Sequence, residues 1–302
     1  MYEQIASNKR KSLFLILFFM VLIFALAWAF GQITEFGRYA IIPAVILAVI
    51  MTWGSYYYSD KIALAVSRAR PVSKEEYPYL YNVVEGLAIA AGIPKPRCYV
   101  IDDTAPNAFA SGRNPENAVV VVTTGLLQKL NRAELEGVIA HELSHIKNYD
   151  ILVQTLAVVM VGVIVLMSDW ILRTFLWGGG RRRRSQSGKG GGNAGAILVI
   201  VALALAVLSP LFAQLLRLAV SRKREFLADA DGALLTRYPP GLASALRKLA
   251  ADKEPLEAAN KATAHMYIIN PLKDLKRGGG PMAKLFSTHP PTEERIAALE
   301  KM

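Results

Sequence analysis

The residues with the plainest chemistry are His141-Glu142-Leu143-Ser144-His145. If Asn131 to Asp150 forms one helix, His141 and His145 lie four apart on one face and aim two imidazoles at a single point. Glu142 then stands beside them. Two nitrogen donors suit a zinc ion, and an adjacent carboxylate suits the proton of a water that the metal activates. The chain holds only four histidines, so this spacing around a Glu does not follow easily from abundance. The competing reading is a helix with two incidental histidines, since short motifs of this kind do occur by chance.

A catalytic zinc needs a third protein ligand and an open coordination position. Cys98 lies in the apolar stretch Cys98-Tyr99-Val100-Ile101 and reads as core. His265 and His289 are available. So is Glu225 in Glu225-Phe226-Leu227-Ala228-Asp229, where the two carboxylates share a helical face. Glu225 would then be the ligand, with Asp229 accepting the free N–H of a ligand histidine. The residues alone balance that reading evenly against surface carboxylates near Arg222 and Arg224. An oxyanion also needs a second donor besides the metal. His289, after Ser287-Thr288, could swing in from a loop, fill the open metal position, or simply open the last helix. Arg295, six residues on, could pair with a site carboxylate.

These side chains need elements to hold them. Asn131 can cap the histidine helix, with Glu134 as the capping-box partner. Upstream, Ser73 and Glu76 predict a capped helix from Glu75 to about Ala91, stopped by Gly92. Cys98 to Ile101 and Ala118 to Thr123 read as strands, and Asn107-Ala108-Phe109-Ala110 as a short extended piece. Either Asn107 to Ala110 or Ala118 to Val122 could be a sheet edge that accepts an extended peptide; both could equally be covered core. Downstream, Arg222, Lys223 and Arg224 mark a cytoplasmic membrane boundary, a helix carries Arg224 to Asp229, Pro239-Pro240 breaks it, Leu242 to Ala251 is amphipathic, and Thr292 to Lys301 is the final helix. The pattern is α+β: mostly helical, with a small sheet of about three strands. It resembles the catalytic core of zincin metallopeptidases, where a small sheet lies beside the active-site helix.

Of 302 residues 53% are hydrophobic, which points to membrane segments. Leu13 to Phe30 and Tyr39 to Tyr58 are apolar runs of spanning length. The first could instead be a cleaved signal peptide, with Ala25-Leu26-Ala27 as its cleavage site, but a second run so soon after favours a retained anchor. Lys9-Arg10-Lys11 before the first and Lys61, Arg68 and Arg70 after the second place both flanks in the cytoplasm. Two further runs, Ile151 to Trp177 and Ala196 to Ala219, enclose a Gly-rich linker with Arg181 to Arg184. Both are long enough to span, which is the favoured reading and gives two to four spans in all, although the Arg cluster is then exported against the positive-inside bias; the alternative is a hairpin that dips into the bilayer or packs on the domain. The expected organisation is a membrane hairpin (1–70), a first catalytic part (71–150), a second apolar hairpin (151–220) and a second catalytic part (221–302). The net charge of +11, beside these runs, favours lipid headgroups and the cytoplasmic bias of a membrane protein over nucleic acid. A single cysteine excludes an intramolecular disulfide.

The four motifs His141 to His145, Glu225-Phe226-x-Ala228-Asp229, Asn107 to Ala110 and Ser287-Thr288-His289-Pro290-Pro291, in this order, resemble those of the HtpX-type integral-membrane zinc metalloproteases. These are relatives of the CAAX prenyl endopeptidases and of the mitochondrial Oma-type proteases. The likeness covers essentially the whole chain, except for the linker with Arg181 to Arg184. It implies one zinc ion per chain held by His141, His145 and Glu225, with Glu142 as catalytic base. It also implies protein or peptide substrates, a role in membrane protein quality control, and a multi-pass protein of the cell membrane whose catalytic domain faces the cytoplasm. The CAAX relatives have more spans, which disfavours a prenylated substrate. A non-catalytic zinc scaffold would fill all four metal positions with protein, His289 being the fourth. Retention of Glu142 argues against it. A transporter would want ionisable groups inside its spans, and the first two runs have none.

Overall fold

The computed structural model describes residues 2–33, 42, 46, 49–50, 53–54, 56–157, 160, 221–259, 263–271 and 290–302. Within them the helices are α1 (Tyr2–Ile33), α2 (Ser59–Val66), α3 (Pro78–Ala91), α4 (Thr124–Lys129), α5 (Arg132–Lys147), α6 (Arg222–Thr236), α7 (Pro239–Ala251) and α8 (Thr292–Leu299). The strands are β1 (Arg70–Pro71), β2 (Arg97–Ile101), β3 (Ala108–Ser111) and β4 (Val119–Thr123).

The strands form one mixed sheet in the order β1-β2-β4-β3. β2 and β4 pair in parallel with Tyr99 opposite Val121; β3 returns antiparallel with Ala110 opposite Val120. The sheet has four strands rather than about three. The extra one, β1, is two residues long, too short for alternation to reveal it. β4 is buried along its whole length because both faces of the sheet are covered. Val120, Val122, Val100 and Cys98 face α3, α5 and α7. Val119, Val121, Ile101 and Phe109 face a second cluster with Leu64, Met266 and Tyr267. Cys98 is core, as its neighbours require, and burial pushes its thiol up to about 11.

The histidine helix is capped as its sequence dictates. Asn131 Oδ1 accepts the Glu134 amide at 3.0 Å, and Glu134 Oε2 accepts the Asn131 amide at 2.8 Å. It stops at Lys147 rather than Asp150, because Tyr149 takes a left-handed φ of 59° and turns the chain. α3 begins at Pro78 rather than Glu75. The residue before a proline avoids helical angles, and Tyr77 has φ −131° and ψ 66°. Ser73 Oγ still meets the Glu76 amide, at 3.4 Å, but in a turn. At its far end Gly92 supplies the left-handed stop, φ 68°. Pro239-Pro240 both ends α6 and opens α7, occupying first-turn positions that need no N–H.

α5 packs against α6 and α7, so residues before 150 and after 221 share one core. Gly137 and Gly232 allow this approach. A Cβ on Gly137 would lie 2.7 Å from the Leu242 amide nitrogen, and one on Gly232 3.0 Å from that of His141.

Among the described residues no helix is long and apolar enough to cross a membrane. α1 covers the first predicted span. Most of the second run, nearly all of the two inner runs, the Arg181–Arg184 linker and His289 lie outside the described residues. The start of the third run, residues 151–157, is helical and buried.

Candidate metal centre

α5 places His141 and His145 on its inward face, with ring planes at 90° and centroids 4.8 Å apart. Their Nε2 atoms face each other at 3.2 Å. α6 crosses α5 at Gly232, and the same face of α6 carries Asp229 about one turn earlier and Glu225 about two turns earlier. Glu225 Oε1 lies 3.5 Å from His145 Nε2, and Oε2 3.8 Å from His141 Nε2. The ligand atoms of His141, His145 and Glu225 all fall within 4.8 Å of one another, and all three residues are buried. Ligands about 2.0–2.1 Å from a tetrahedral zinc sit roughly 3.3 Å apart. The observed separations fit that donor set.

The surroundings orient both rings. Asp229 Oδ1 lies 2.9 Å from His141 Nδ1, the contact that the shared face of Glu225 and Asp229 predicts. His145 has a partner that the sequence reading missed: Asp150 Oδ2 lies 3.0 Å from its Nδ1. The turn at Tyr149 brings Asp150 back against the helix it follows. Arg224, expected at a membrane boundary, is buried and donates to Asp150 Oδ1 at 3.1 Å. Arg295 does pair with a site carboxylate. It grips Asp229 through Nε–Oδ2 at 2.8 Å and Nη2–Oδ1 at 2.6 Å, and its Nη1 lies 3.6 Å from Glu225 Oε2.

Charge supports the same donor set. Glu142, Glu225, Asp229 and Asp150 are four buried carboxylates, against the two buried guanidiniums of Arg224 and Arg295. Counted with both histidines neutral, as metal binding requires, and Glu142 ionised, two negative charges remain, which suits a dication. Burial lowers the His141 pKa despite Asp229. Burial acts the same way on His145, but Asp150 and Glu225 outweigh it and push that imidazole up to about 9. Burial, helped by Glu225, raises the Glu142 carboxyl to about 7.

Glu142 is not one of the three clustered ligands. It lies where α5 packs on β3, and the nearby backbone of Ala110 favours its charged form. β3 is an edge strand of the sheet, whereas Ala118 to Val122 lies within it. Part of that edge is already engaged. Ala108 O accepts the Ile268 amide at 3.0 Å, Asn107 Nδ2 donates to Ile269 O at 3.0 Å, and Phe109 packs edge-on against Tyr267. His265 is buried, with Nε2 3.4 Å from Gln154 O, and lies outside the ligand cluster.

The sequence profile described as Peptidase family M48 matches residues 74–302. A protease HtpX homolog of Dictyoglomus turgidum is 50% identical over 301 residues, covering 100% of this chain and 94% of that protein. One from Thermoanaerobacter pseudethanolicus is 45% identical over 302 residues, covering 100% and 98%. One from Thermococcus sibiricus is 48% identical over 261 residues, covering 86% and 85%. The crystal structure of S. mikatae Ste24p aligns with 99% of this chain and 67% of its own, at 19% identity and a TM-score of 0.49.

Proposed function

This chain belongs to peptidase family M48 and is an HtpX-type metalloprotease; we propose that it is a membrane-anchored zinc endopeptidase acting at the centre formed by His141, His145 and Glu225. The observation that carries this reading is the convergence of those three ligand atoms with Glu142 beside them and outside the set. Zinc, when bound there, supplies Lewis-acid polarisation of a peptide carbonyl and acidifies a water towards neutrality.

Glu142 takes a proton from the attacking water. The oxygen bonds to the carbonyl carbon, the C–N bond breaks, and Glu142 returns the proton to the departing amine. Asp229 and Asp150 hold His141 and His145 in the tautomers that turn Nε2 inward. α5 packs on the edge strand β3, so a peptide laid along Asn107 to Ala110 would present its carbonyl beside the base. His289 is the proposed second donor to the oxyanion.

Membrane anchoring is supported by α1. Leu13, Phe14, Leu17, Val21 and Phe24 are exposed at three- and four-residue spacing, an apolar stripe that suits lipid. With the basic flanks, this supports a cell-membrane protein whose catalytic side faces the cytoplasm. A site so anchored suits membrane or misfolded proteins as substrates.

The test is zinc content and casein cleavage by the detergent-solubilised protein, wild type beside Glu142→Gln. The variant keeps one zinc and loses cleavage by about 10²–10⁴-fold. Undiminished cleavage would remove Glu142 as the base, and absence of zinc from active wild type would remove the metal reading.

A further inference from the structure

α1 begins as a basic flank by sequence, yet one of its faces is buried, and the N-terminal end of that face meets the catalytic unit. Asn8, Ser12, Leu15 and Phe19 are each at most 3% exposed, at the three- and four-residue spacing of a single helical stripe. The polar end of that stripe reaches the metal centre. Asn8 Nδ2 donates to Asp150 Oδ1 at 2.7 Å and to the carbonyl of Asn148 at 2.8 Å. The other oxygen of the same carboxylate holds His145 Nδ1. Lys9, next to Asn8, lies over the Tyr149 ring at 4.5 Å, on the very residue whose left-handed backbone swings Asp150 into place.

We propose that Asn8 is a positioning residue of the metal centre: through Asp150 it fixes the His145 imidazole, so that docking of the N-terminal helix and retention of the metal are coupled. The inference rests on the reading of His141, His145 and Glu225 as the metal ligands. Asp150 Oδ1 has two neutral or cationic donors, Asn8 and Arg224, arriving from helices on either side of the long apolar insertions. Removing Asn8 leaves Arg224 as the one donor to that oxygen among the described residues, so the carboxylate is less constrained and the ring it holds less defined. Coupling is reciprocal: if α1 docking favours metal binding, metal binding favours α1 docking by the same factor. The state of a helix that carries an apolar outer stripe would thereby be felt at the protein's chemistry.

The experiment uses the full chain in detergent, loaded with zinc, and follows metal loss to a chromogenic chelator. Wild type should hold one zinc and His145→Ala should not; failure at this step would strike the metal reading, not the role of Asn8. Outer partners of ligand histidines typically contribute about 10- to 100-fold in affinity. Asp150→Asn should therefore speed zinc loss by that range, and Asn8→Ala by about 3- to 10-fold. Asn8→Leu, close in size but with no donor, should lose at least as much, whereas a merely space-filling Asn8 would tolerate it. Release rates within twofold of wild type in both Asn8 variants would overturn the proposal. Should the variants not fold, the wild type still decides. Hydrogen exchange at residues 5–15 slows on zinc addition if the two are coupled, and unchanged exchange overturns it.

Discussion

Arg295 and Asp229 meet through two parallel hydrogen bonds, although 66 residues separate them and both are 1% exposed. The same guanidinium donates through Nη1 to Ile268 O at 2.9 Å, so α8, α6 and the segment beside β3 are joined at one buried cation. Burial disfavours the charge on Arg295, yet Asp229 and Glu225 raise its pKa further.

Arg295→Ala would strand two buried carboxylates. Breaking a buried pair by removing one partner typically costs about 3–5 kcal/mol. We expect a clear fall in the thermal unfolding midpoint of the apo-protein. Arg295→Lys, which cannot form the two-bond fork, should recover only part of it. A midpoint equal to wild type in Arg295→Ala would show that the pair is not holding α8 in place.

Glu134 should give the fold a pH dependence distinct from that of the metal. Burial raises its carboxyl pKa, but Lys248, the Ser244 hydroxyl and the Asn131 amide together bring it below the ordinary value. A depressed folded pKa means stability present above the unfolded value, about 4.3, and lost as pH falls through the lower folded one. Glu134→Ala should therefore cost about 1–2 kcal/mol at pH 7. The gap to wild type should close below about pH 4 in denaturant titrations, and a gap that widens in acid would contradict the assignment.

The single native cysteine is convenient for topology. Cys98 is buried and its thiol is raised to about 11, so it reacts slowly with maleimides. Ile89, on α3, is 76% exposed. Ile89→Cys should be labelled by an impermeant maleimide in inverted membrane vesicles and protected in intact cells. Labelling in intact cells would place the catalytic side outside.

Local rules carried much of this architecture. The spacing of His141 and His145, the Asn131–Glu134 cap, the β-branched run of β4 and the shared face of Glu225 and Asp229 are all short-range patterns, and the structure shows each of them. What escaped depends on chain reversal or on distant partners. Asp150 read as the end of a helix because nothing in its side chain announces the left-handed turn at Tyr149. Arg224 read as a boundary charge because arginine is usually exposed, and only the fold brings a carboxylate to it. Asn8 meets Asp150 across 142 residues, and no periodicity encodes such a contact. The edge position of β3 likewise needed the strand order, since its four residues are as buried as those of β4.

The centre is assembled from pieces that leave the ribosome at widely separated times. His141 and His145 are made some eighty residues before Glu225, and Arg295 follows seventy residues later still. A nascent chain paused before Glu225 owns two imidazoles but neither the acid that would complete the donor triad nor the guanidinium that steadies Asp229. Arranging the parts in this order leaves the metal centre incomplete until most of the chain has been synthesised.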